Sequence, residues 1–224
     1  MKKIKLISLL VALFFGFNLQ AQKADSKEFT NHEYWEVVSG RAAKIVETMN
    51  LGDEGKEKRV QDLIAAQYYR LNGIQDGTDA KIDEVKELLI SKEKKEKTIG
   101  KLNAKRDKEL AKLHKSYLKS LSNELTPDQV DEVKNGMTYG VLVNTYAGYQ
   151  DMLPNLTDEQ KKFILDALTE AREKAMDAGS SKDKHAWFGK YKGRINNYLS
   201  KQGYDLNKES KDWHERLRKE GKTL

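Results

Sequence analysis

The motif Leu-Thr-x-x-Gln occurs twice in the chain, first at residues 125–129 and again at residues 156–160. A threonine at a helix N-cap accepts a hydrogen bond from the backbone N–H three residues later, and a glutamine at that later position reaches back to the N-cap N–H. Pro127 suits the first helical position of the first copy, because an N–H there would have no partner. Each motif therefore predicts the start of a helix. The capping pairs are Thr126 with Gln129 and Thr157 with Gln160.

The rest of the chain also favours helices. Apolar side chains recur every three or four residues, strand signals are nearly absent, and the chain holds only two prolines. These patterns predict an all-α fold, an elongated helical bundle of about seven helices including one very long helix. Because 34% of the residues are charged and the mean hydropathy is −0.79, we expect a thin core with large solvated helix faces. The predicted helices cover about 30–49, 53–72 and 78–121, and four more begin near 126, 157, 181 and 207.

The segment from 78 to 121 has two possible structures. Its apolar stripe includes Val85 and Leu89 and lapses across the charge run at residues 92–97. Either one helix of about 65 Å continues through the run, or the chain turns back there as a hairpin. The charge run contains no glycine or proline, so we favour the continuous helix, with the run as a solvated, protruding face.

The N-terminus has the pattern of an export signal. Three lysines precede an apolar stretch at residues 6–17, and cleavage after Ala21 is expected. The mature chain is then periplasmic or secreted, and no later apolar run is long enough to span a membrane. The predicted organisation is a signal peptide at 1–21, a disordered segment at 22–29, a single helical domain at 30–206, and a C-terminal amphipathic helix and tail at 207–224.

Composition and motifs exclude several functional classes. The chain has no cysteine, which excludes disulfides and thiolate chemistry. The leader carries three of the 41 basic residues, so the mature net charge falls near +3 against 35 acidic residues, too balanced to predict nucleic-acid binding. The four histidines lack metal-ligand spacing, and no cofactor motif is present. No catalytic motif is present either, so binding is favoured over catalysis.

Two segments combine aromatic, cationic and amide side chains more densely than packing alone requires. One is the glycine- and tyrosine-rich stretch at 136–149, and the other is residues 184–198. In one interpretation their rings pack into the core with polar tips outward. In the other they share a polar-aromatic groove that suits sugars or acidic glycans. The candidate ligand-binding residues are Tyr139, Tyr146, Tyr149, His185, Trp187, Lys190, Tyr191, Arg194 and Asn197.

The paired capping motifs also carry a family resemblance. In an exported, cysteine-free, highly charged helical chain, they resemble the Leu-Thr-x-x-Gln family of Spy-like periplasmic chaperones. That resemblance implies a thin helical cradle, often a homodimer, that shields unfolded client proteins.

A second resemblance covers most of the mature chain. It is carried by residues 59–60, 135–141, 152–157, 175–180 and 189–198, within a span from Tyr34 to Leu206. Over that span the chain resembles an uncharacterised family of exported bacterial proteins, classed as a domain of unknown function. The resemblance implies no established activity, but members often accompany polysaccharide-degradation systems, which implies work on glycans.

Two functions follow as expectations. The first is an exported helical binding or chaperone-like protein that takes an unfolded or partner protein, with a possible homodimer. The second is a glycan-associated accessory protein or an enzyme of unrecognised type, linked to polysaccharide utilisation. In an enzyme, His185 would be the first candidate acid or base, because the pKa of histidine lies near neutrality. A third possibility is a scaffold that uses residues 78–121 as an arm.

Overall fold

The computed structural model describes residues 29–221, and the predicted leader lies outside them. Across that part of the chain the regular structure is eight α-helices with no strand, which confirms the predicted all-α bundle. The helix beyond the seven predicted is α5, most of which lies in the glycine- and tyrosine-rich stretch at 136–149. The helices are α1 (His32–Glu47), α2 (Glu54–Glu87), α3 (Lys92–Glu124), α4 (Pro127–Met137), α5 (Val141–Met152), α6 (Asp158–Met176), α7 (Ser181–Lys201) and α8 (Leu206–Lys219).

Both predicted capping boxes form. At the start of α4, the Thr126 hydroxyl accepts from the backbone N–H of Gln129 at 3.4 Å, and the Gln129 side chain accepts from the Thr126 N–H at 3.1 Å. The corresponding distances at the start of α6, between Thr157 and Gln160, are 3.2 and 3.0 Å. Each pair satisfies two N–H groups that a helix end leaves without partners.

The continuous helix favoured for residues 78–121 is wrong, because the chain turns back as a hairpin. Helix α2 ends at Glu87, and the Ser91 hydroxyl caps α3 by accepting from the backbone N–H of Lys94. The turn therefore lies just before the charge run rather than within it. The predicted helix end near residue 72 is also wrong, because Gly73 and Gly77 lie inside α2. An ion pair of 3.1 Å between Arg59 and Glu124 joins the open ends of the hairpin.

The helices enclose two hydrophobic cores. Helices α1 to α4 surround the first, and Met176 at the end of α6 reaches into it. Helices α5 to α7 surround the second. The single domain expected at 30–206 stays a prediction. Fully buried side chains of the first core include Val38, Ile64, Leu121 and Met137, and those of the second include Ile164, Leu168, Ile195 and Leu199.

Helix α8 packs on the outside of the second core. The Trp213 indole donates to the Asp151 carboxylate at 2.7 Å, and Arg216 donates to the Asp151 backbone carbonyl. None of its residues is fully buried, and besides these polar contacts with α5 the partly buried Leu206 packs against the second core. Among residues 29–221, no helix has the length and apolar character needed to cross a membrane.

The close approach of α4 to α1 leads to a stability prediction for Gly136→Ala. A Cβ at residue 136 would lie 2.8 Å from Cγ2 of Ile45, so the two helices would have to separate. Overpacking of this kind costs about 1–3 kcal/mol, and we expect that loss in the free energy of unfolding measured in urea.

Gly100→Ala is the matched control, because nothing lies within 4 Å of a Cβ at that position in α3. Alanine there should stabilise the protein by about 0.5–1 kcal/mol through its higher helix propensity. Equal effects of the two substitutions would contradict the close packing of α1 on α4.

Candidate functional site

A polar cluster joins the two cores where α6 crosses α4. The Arg172 side chain is buried, and its guanidinium donates to Asn135 and to Asp131, both at 2.9 Å. The neighbouring Glu173 forms an ion pair of 3.1 Å with Lys134. Because an unpaired charge is costly to bury, these contacts fix α6 against α4.

His114 of α3 extends this cluster to the end of α6. Its Nδ1 lies 3.0 Å from a carboxylate oxygen of Asp177, and its Nε2 lies 3.3 Å from one of Glu173. Hydrogen bonds to Asp177 and then Glu173 raise the pKa of His114 to about 9. Burial opposes ionisation of Glu173, but hydrogen bonds from His114 and Lys134 outweigh it and lower the pKa of Glu173 to about 2. His114 is thus an imidazolium at neutral pH, which suits a structural ion pair rather than a catalytic base.

Beside this cluster, four side chains form what we call the aromatic corner: Tyr68, Tyr139, Lys184 and His185. The Lys184 ammonium is buried, donates to the Met137 backbone carbonyl at 3.2 Å, and lies 5.6 Å from the centroid of the Tyr68 ring. Burial lowers the pKa of Lys184 to about 8, with Asp177 opposing that shift. The His185 ring stacks on the Tyr139 ring, with centroids 5.6 Å apart and planes at 19°.

Tyr139 occupies a backbone position that usually belongs to glycine. The N–H of Gly140 donates to the Asn135 carbonyl at 2.8 Å, and the N–H of Tyr139 donates to the Gly136 carbonyl at 3.3 Å. This pattern closes α4 as a Schellman motif with Tyr139 at its left-handed residue, where φ is +59°. The left-handed conformation costs a non-glycine residue about 1–2 kcal/mol. The residue is 55% exposed, so only part of its side chain is buried to set against that cost. Strain of this kind is concentrated at functional sites.

The remaining predicted residues divide between two sides of α7. A buried stripe that includes Phe188 and Ile195 runs between the two sides. On the side that meets α5, His185 contacts Tyr139, and the Tyr149 hydroxyl hydrogen-bonds to Asn196 at 2.6 Å. Residues 185 and 196 are three turns apart, about 16 Å along the helix axis. The predicted residues therefore do not line one compact groove.

The other side of α7 meets α6. There the Lys190 ammonium lies 5.1 Å from the Trp187 ring centroid, and the Arg194 guanidinium lies 5.5 Å from that of Tyr191. Arg194 also pairs with Glu170 of α6 at 3.2 Å. The rings of Trp187 and Tyr191 pack in the second core, as does the partly buried Tyr146, while Asn197 is exposed. The rings of Trp187, Tyr191 and Tyr146 therefore pack in the second core, as in the first of the two interpretations.

The exposed surface of α7 beside α5 is strongly basic. It carries side chains three or four residues apart, and we name it the α7 strip. Asp183 is the single acidic residue between Ser181 and Lys201. It lies about 100° around the helix from Lys182, and its carboxylate accepts a hydrogen bond from the Ser180 hydroxyl at 2.6 Å. A Cβ on Gly189 would have no neighbour within 4 Å, so the middle of the strip is bare. The α7 strip comprises the exposed residues Lys182, His185, Gly189, Lys192 and Asn196.

Sequence reasoning missed several of these residues. Lys184 and Lys192 lie in the segment that we had singled out, but the predicted set left them out. Tyr68 lies outside both of the segments that the sequence analysis singles out. The signal that could have found the strip is the three- and four-residue spacing of exposed polar residues from 182 to 196, together with the single carboxylate of that helix. Within residues 29–221, no group of three histidine or acidic side chains could hold a metal ion.

The chain belongs to a family of proteins of unknown function, DUF3826, whose model matches residues 35–219. This bears out the predicted resemblance to an uncharacterised family. The match covers the hairpin, the polar cluster, the aromatic corner and all of α8. None of the curated proteins compared with the chain matches it. The resemblance to the Leu-Thr-x-x-Gln chaperones stays a prediction.

The strained backbone at Tyr139 predicts an unusual response to Tyr139→Gly. Glycine adopts a positive φ without steric cost, so this substitution should raise the free energy of unfolding by about 1 kcal/mol although it removes a large side chain. The matched control is Tyr146→Gly, inside α5, where glycine should destabilise the protein. A loss of stability on Tyr139→Gly would show that the ring contributes more than the strain costs.

The pairing of His114 with two carboxylates predicts a pH dependence of stability. Folding raises the pKa of His114 from 6.5 to about 9, so its contribution is complete below pH 6.5 and is lost as the pH rises through about 9. Folding lowers the pKa of Glu173 from 4.5 to about 2, so that contribution is complete above pH 4.5 and is lost as the pH falls through about 2.

We expect the His114 contribution to the free energy of unfolding to fall by about 1–2 kcal/mol between pH 7 and pH 9, because that range covers most of its titration and solvent at the ring reduces the effect. Folding lowers the pKa of Lys184 from 10.5 to about 8, so the unfavourable contribution of Lys184 shrinks over the same range and offsets part of that decline. Urea titrations at several pH values measure this loss. In His114→Gln the decline across that range should disappear, whereas His32→Gln, at the exposed first residue of α1, should retain it. An unchanged profile in His114→Gln would contradict the assigned ion pair.

Proposed function

We propose that this protein binds acidic oligosaccharides along the α7 strip, as a binding protein of the exported compartment rather than as an enzyme. The observation that carries the proposal is the exposed Tyr139 ring, stacked on His185 at one end of a strip that bears cations without carboxylates. Proteins commonly combine aromatic rings with a few convergent polar groups where they hold small ligands.

Each part of the strip fits a different part of such a ligand. The exposed face of Tyr139 offers an apolar surface for the C–H face of a sugar ring. Lys182 and Lys192, about 15 Å apart along the helix axis, are placed to pair with carboxylates on separate sugars of one chain. The bare backbone at Gly189 lets a chain lie close to the helix, and the amide of Asn196 supplies donors and acceptors at the far end.

The buried Lys184 adds a fixed positive charge beneath the Tyr139 end of the strip. Its ammonium is held by the Met137 carbonyl, so it acts on a ligand through its field rather than by direct contact. Arg41 of α1 adds positive potential in the same region, because it lowers the pKa of Lys184 and opposes the rise of that of Tyr68. Both charges favour an anionic ligand over a neutral one.

The strain at Tyr139 supports a binding role for its ring. A glycine there would remove the strain of the left-handed residue, and yet the chain carries a tyrosine that remains 55% exposed. A strained residue whose side chain is more than half exposed is typical of a position retained for function. Exposed ion pairs are worth about 0–1 kcal/mol each, so we expect Kd values of about 1 mM to 1 μM from several weak contacts acting together.

Isothermal titration calorimetry with oligogalacturonate tests the proposal. We expect binding that weakens as salt is added, with much weaker binding of a neutral oligosaccharide of equal length. Tyr139→Gly should weaken binding about tenfold, the value of one aromatic contact, while leaving the fold intact. Lys192→Ala should weaken it about fivefold.

Lys190→Ala provides the matched control, because Lys190 lies on the opposite side of the same helix, against Trp187. It removes the same charge and should change binding little. Equal losses in Lys190→Ala and Lys192→Ala would show that general electrostatics, rather than the strip, governs binding. Absence of binding to acidic oligosaccharides would overturn the proposal.

The chaperone-like role remains the second candidate, supported by the resemblance of the capping boxes. A cradle for unfolded proteins requires a contiguous apolar surface. In the part of the chain that the structure describes, the large apolar side chains exposed outside residues 88–90 are single residues such as Val37 on α1 and Leu165 on α6. Failure of a stoichiometric excess of this protein to slow the aggregation of a denatured client would exclude the role.

A further inference from the structure

The turn between α2 and α3 exposes three consecutive large apolar side chains. Leu88 is 49% exposed, Leu89 is fully exposed at 105%, and Ile90 is 39% exposed. We call these three residues the hairpin tip. Isolated exposed leucines are ordinary, but three in a row at the end of a projecting element mark a place of interaction. The sequence pattern had assigned Leu89 to a buried stripe, and its full exposure corrects that assignment.

The hairpin tip projects away from the hydrophobic cores. Every residue of α3 between Lys92 and Ser116 is partly or fully exposed, a length of about 35 Å along the helix. The first buried residue of α3 is Tyr117. On α2, Val85 is the buried residue nearest to the turn, and Thr78 is the next. The apolar residues of the tip are thus carried at the end of a rigid two-helix arm.

Lysines surround the hairpin tip. Residues 86–97 contain five lysines and three glutamates, all within three turns of the exposed leucines. Lys92 is 90% exposed and forms an ion pair with Glu96, and Lys86 is 57% exposed and forms an ion pair with Asp83, so the excess of positive charge near the tip comes from the other lysines of α3. Helix α3 as a whole holds eleven lysine and arginine residues against five acidic ones. The end of the arm therefore combines three exposed apolar side chains with an excess of positive charge along α3.

The geometry points to an anionic lipid surface as the partner of the hairpin tip. A stable protein–protein interface buries about 800 Å² on each partner, which three side chains on a convex turn do not supply. A bilayer surface needs no complementary pocket, because leucine and isoleucine enter the acyl boundary while lysines remain at the level of the phosphates. The lysines of α3 are also attracted by the negative surface potential of anionic lipids, which strengthens binding.

An attachment of this size is reversible. Three inserted side chains and a few lysines give a membrane affinity of the order of that of a single short lipid anchor. This affinity is far weaker than that of a spanning helix. The arm would hold the bundle, including the α7 strip, at a distance from the lipid surface. The proposal concerns α2 and α3 alone, so it does not depend on the ligand proposed for the strip.

Sedimentation with large unilamellar vesicles tests the attachment. We expect the purified protein to sediment with vesicles of equal parts phosphatidylglycerol and phosphatidylcholine, and to bind pure phosphatidylcholine vesicles at least about fivefold more weakly. Replacing all three tip residues by Leu88→Ser, Leu89→Ser and Ile90→Ser should lower the partition coefficient at least about tenfold. Lys94→Glu with Lys97→Glu should lower it on anionic vesicles alone.

Leu165→Ser is the matched control, since Leu165 of α6 is 38% exposed, much like Ile90. It removes an equivalent apolar side chain elsewhere and should leave vesicle binding unchanged. Circular dichroism should show unaltered helix content in the tip variant, because the substituted side chains are exposed. A tip variant that loses helix content would be replaced by Leu89→Ser alone, for which about a threefold loss is expected.

Three results would overturn the inference. Vesicle binding that is absent, or equal in the tip variant and in Leu165→Ser, would remove the lipid partner. A concentration-dependent dimer that is lost in the tip variant would assign the tip to a second copy of the chain. Suppression of client aggregation that is lost in the tip variant would assign it to a protein partner.

Discussion

The burial of the Arg172 guanidinium is the constraint on which the relation of the two cores depends. A buried guanidinium requires charged or polar partners, and α4 supplies them in Asp131 and Asn135. Removing one partner from such a contact costs about 3–5 kcal/mol, because the remaining charge stays buried. The Nε of Arg172 is itself buried without a hydrogen-bond partner in the described part of the chain, so the geometry is set by the two terminal nitrogens. Helix α6 therefore has one position against α4.

The aromatic corner follows from that position. The side chain of Asn135 receives Arg172, and its backbone carbonyl receives the Gly140 N–H that closes the end of α4. The same residue thus connects the two cores and fixes the turn that presents Tyr139. From the end of α6, a short connection to the Ser180 cap starts α7 one turn before Lys184 reaches the Met137 carbonyl. Residues that pack the fold also set the stacking of His185 on Tyr139.

Local chemistry in the sequence predicted the ends of helices better than their continuity. The capping boxes involve residues three apart, so no distant contact is needed to specify them. The course of α2 could not be inferred in this way, because Gly73 and Gly77 lie in a helix that packing against α3 sustains. The turn at residues 88–90 carries no glycine or proline, and Ser91 was its single local signal. Its apolar residues fitted a helical stripe equally well, which is why the hairpin was missed.

The candidate site shows the same limit. Sequence reasoning found the two segments because their composition is unusual. Composition does not say which side of a helix each residue of a segment occupies. Trp187 and Tyr191 share that segment with His185, yet they pack in the second core while His185 stacks on Tyr139 in the turn between α4 and α5. The packing of α7 beside that Schellman turn brings Tyr139 and His185 together, and composition does not encode this tertiary contact. A glycine at residue 139 would remove the strain. The chain has tyrosine at that position and its glycine, Gly140, one residue later. The strained turn and the part-exposed ring of Tyr139 are the reason why we propose a binding role for this residue.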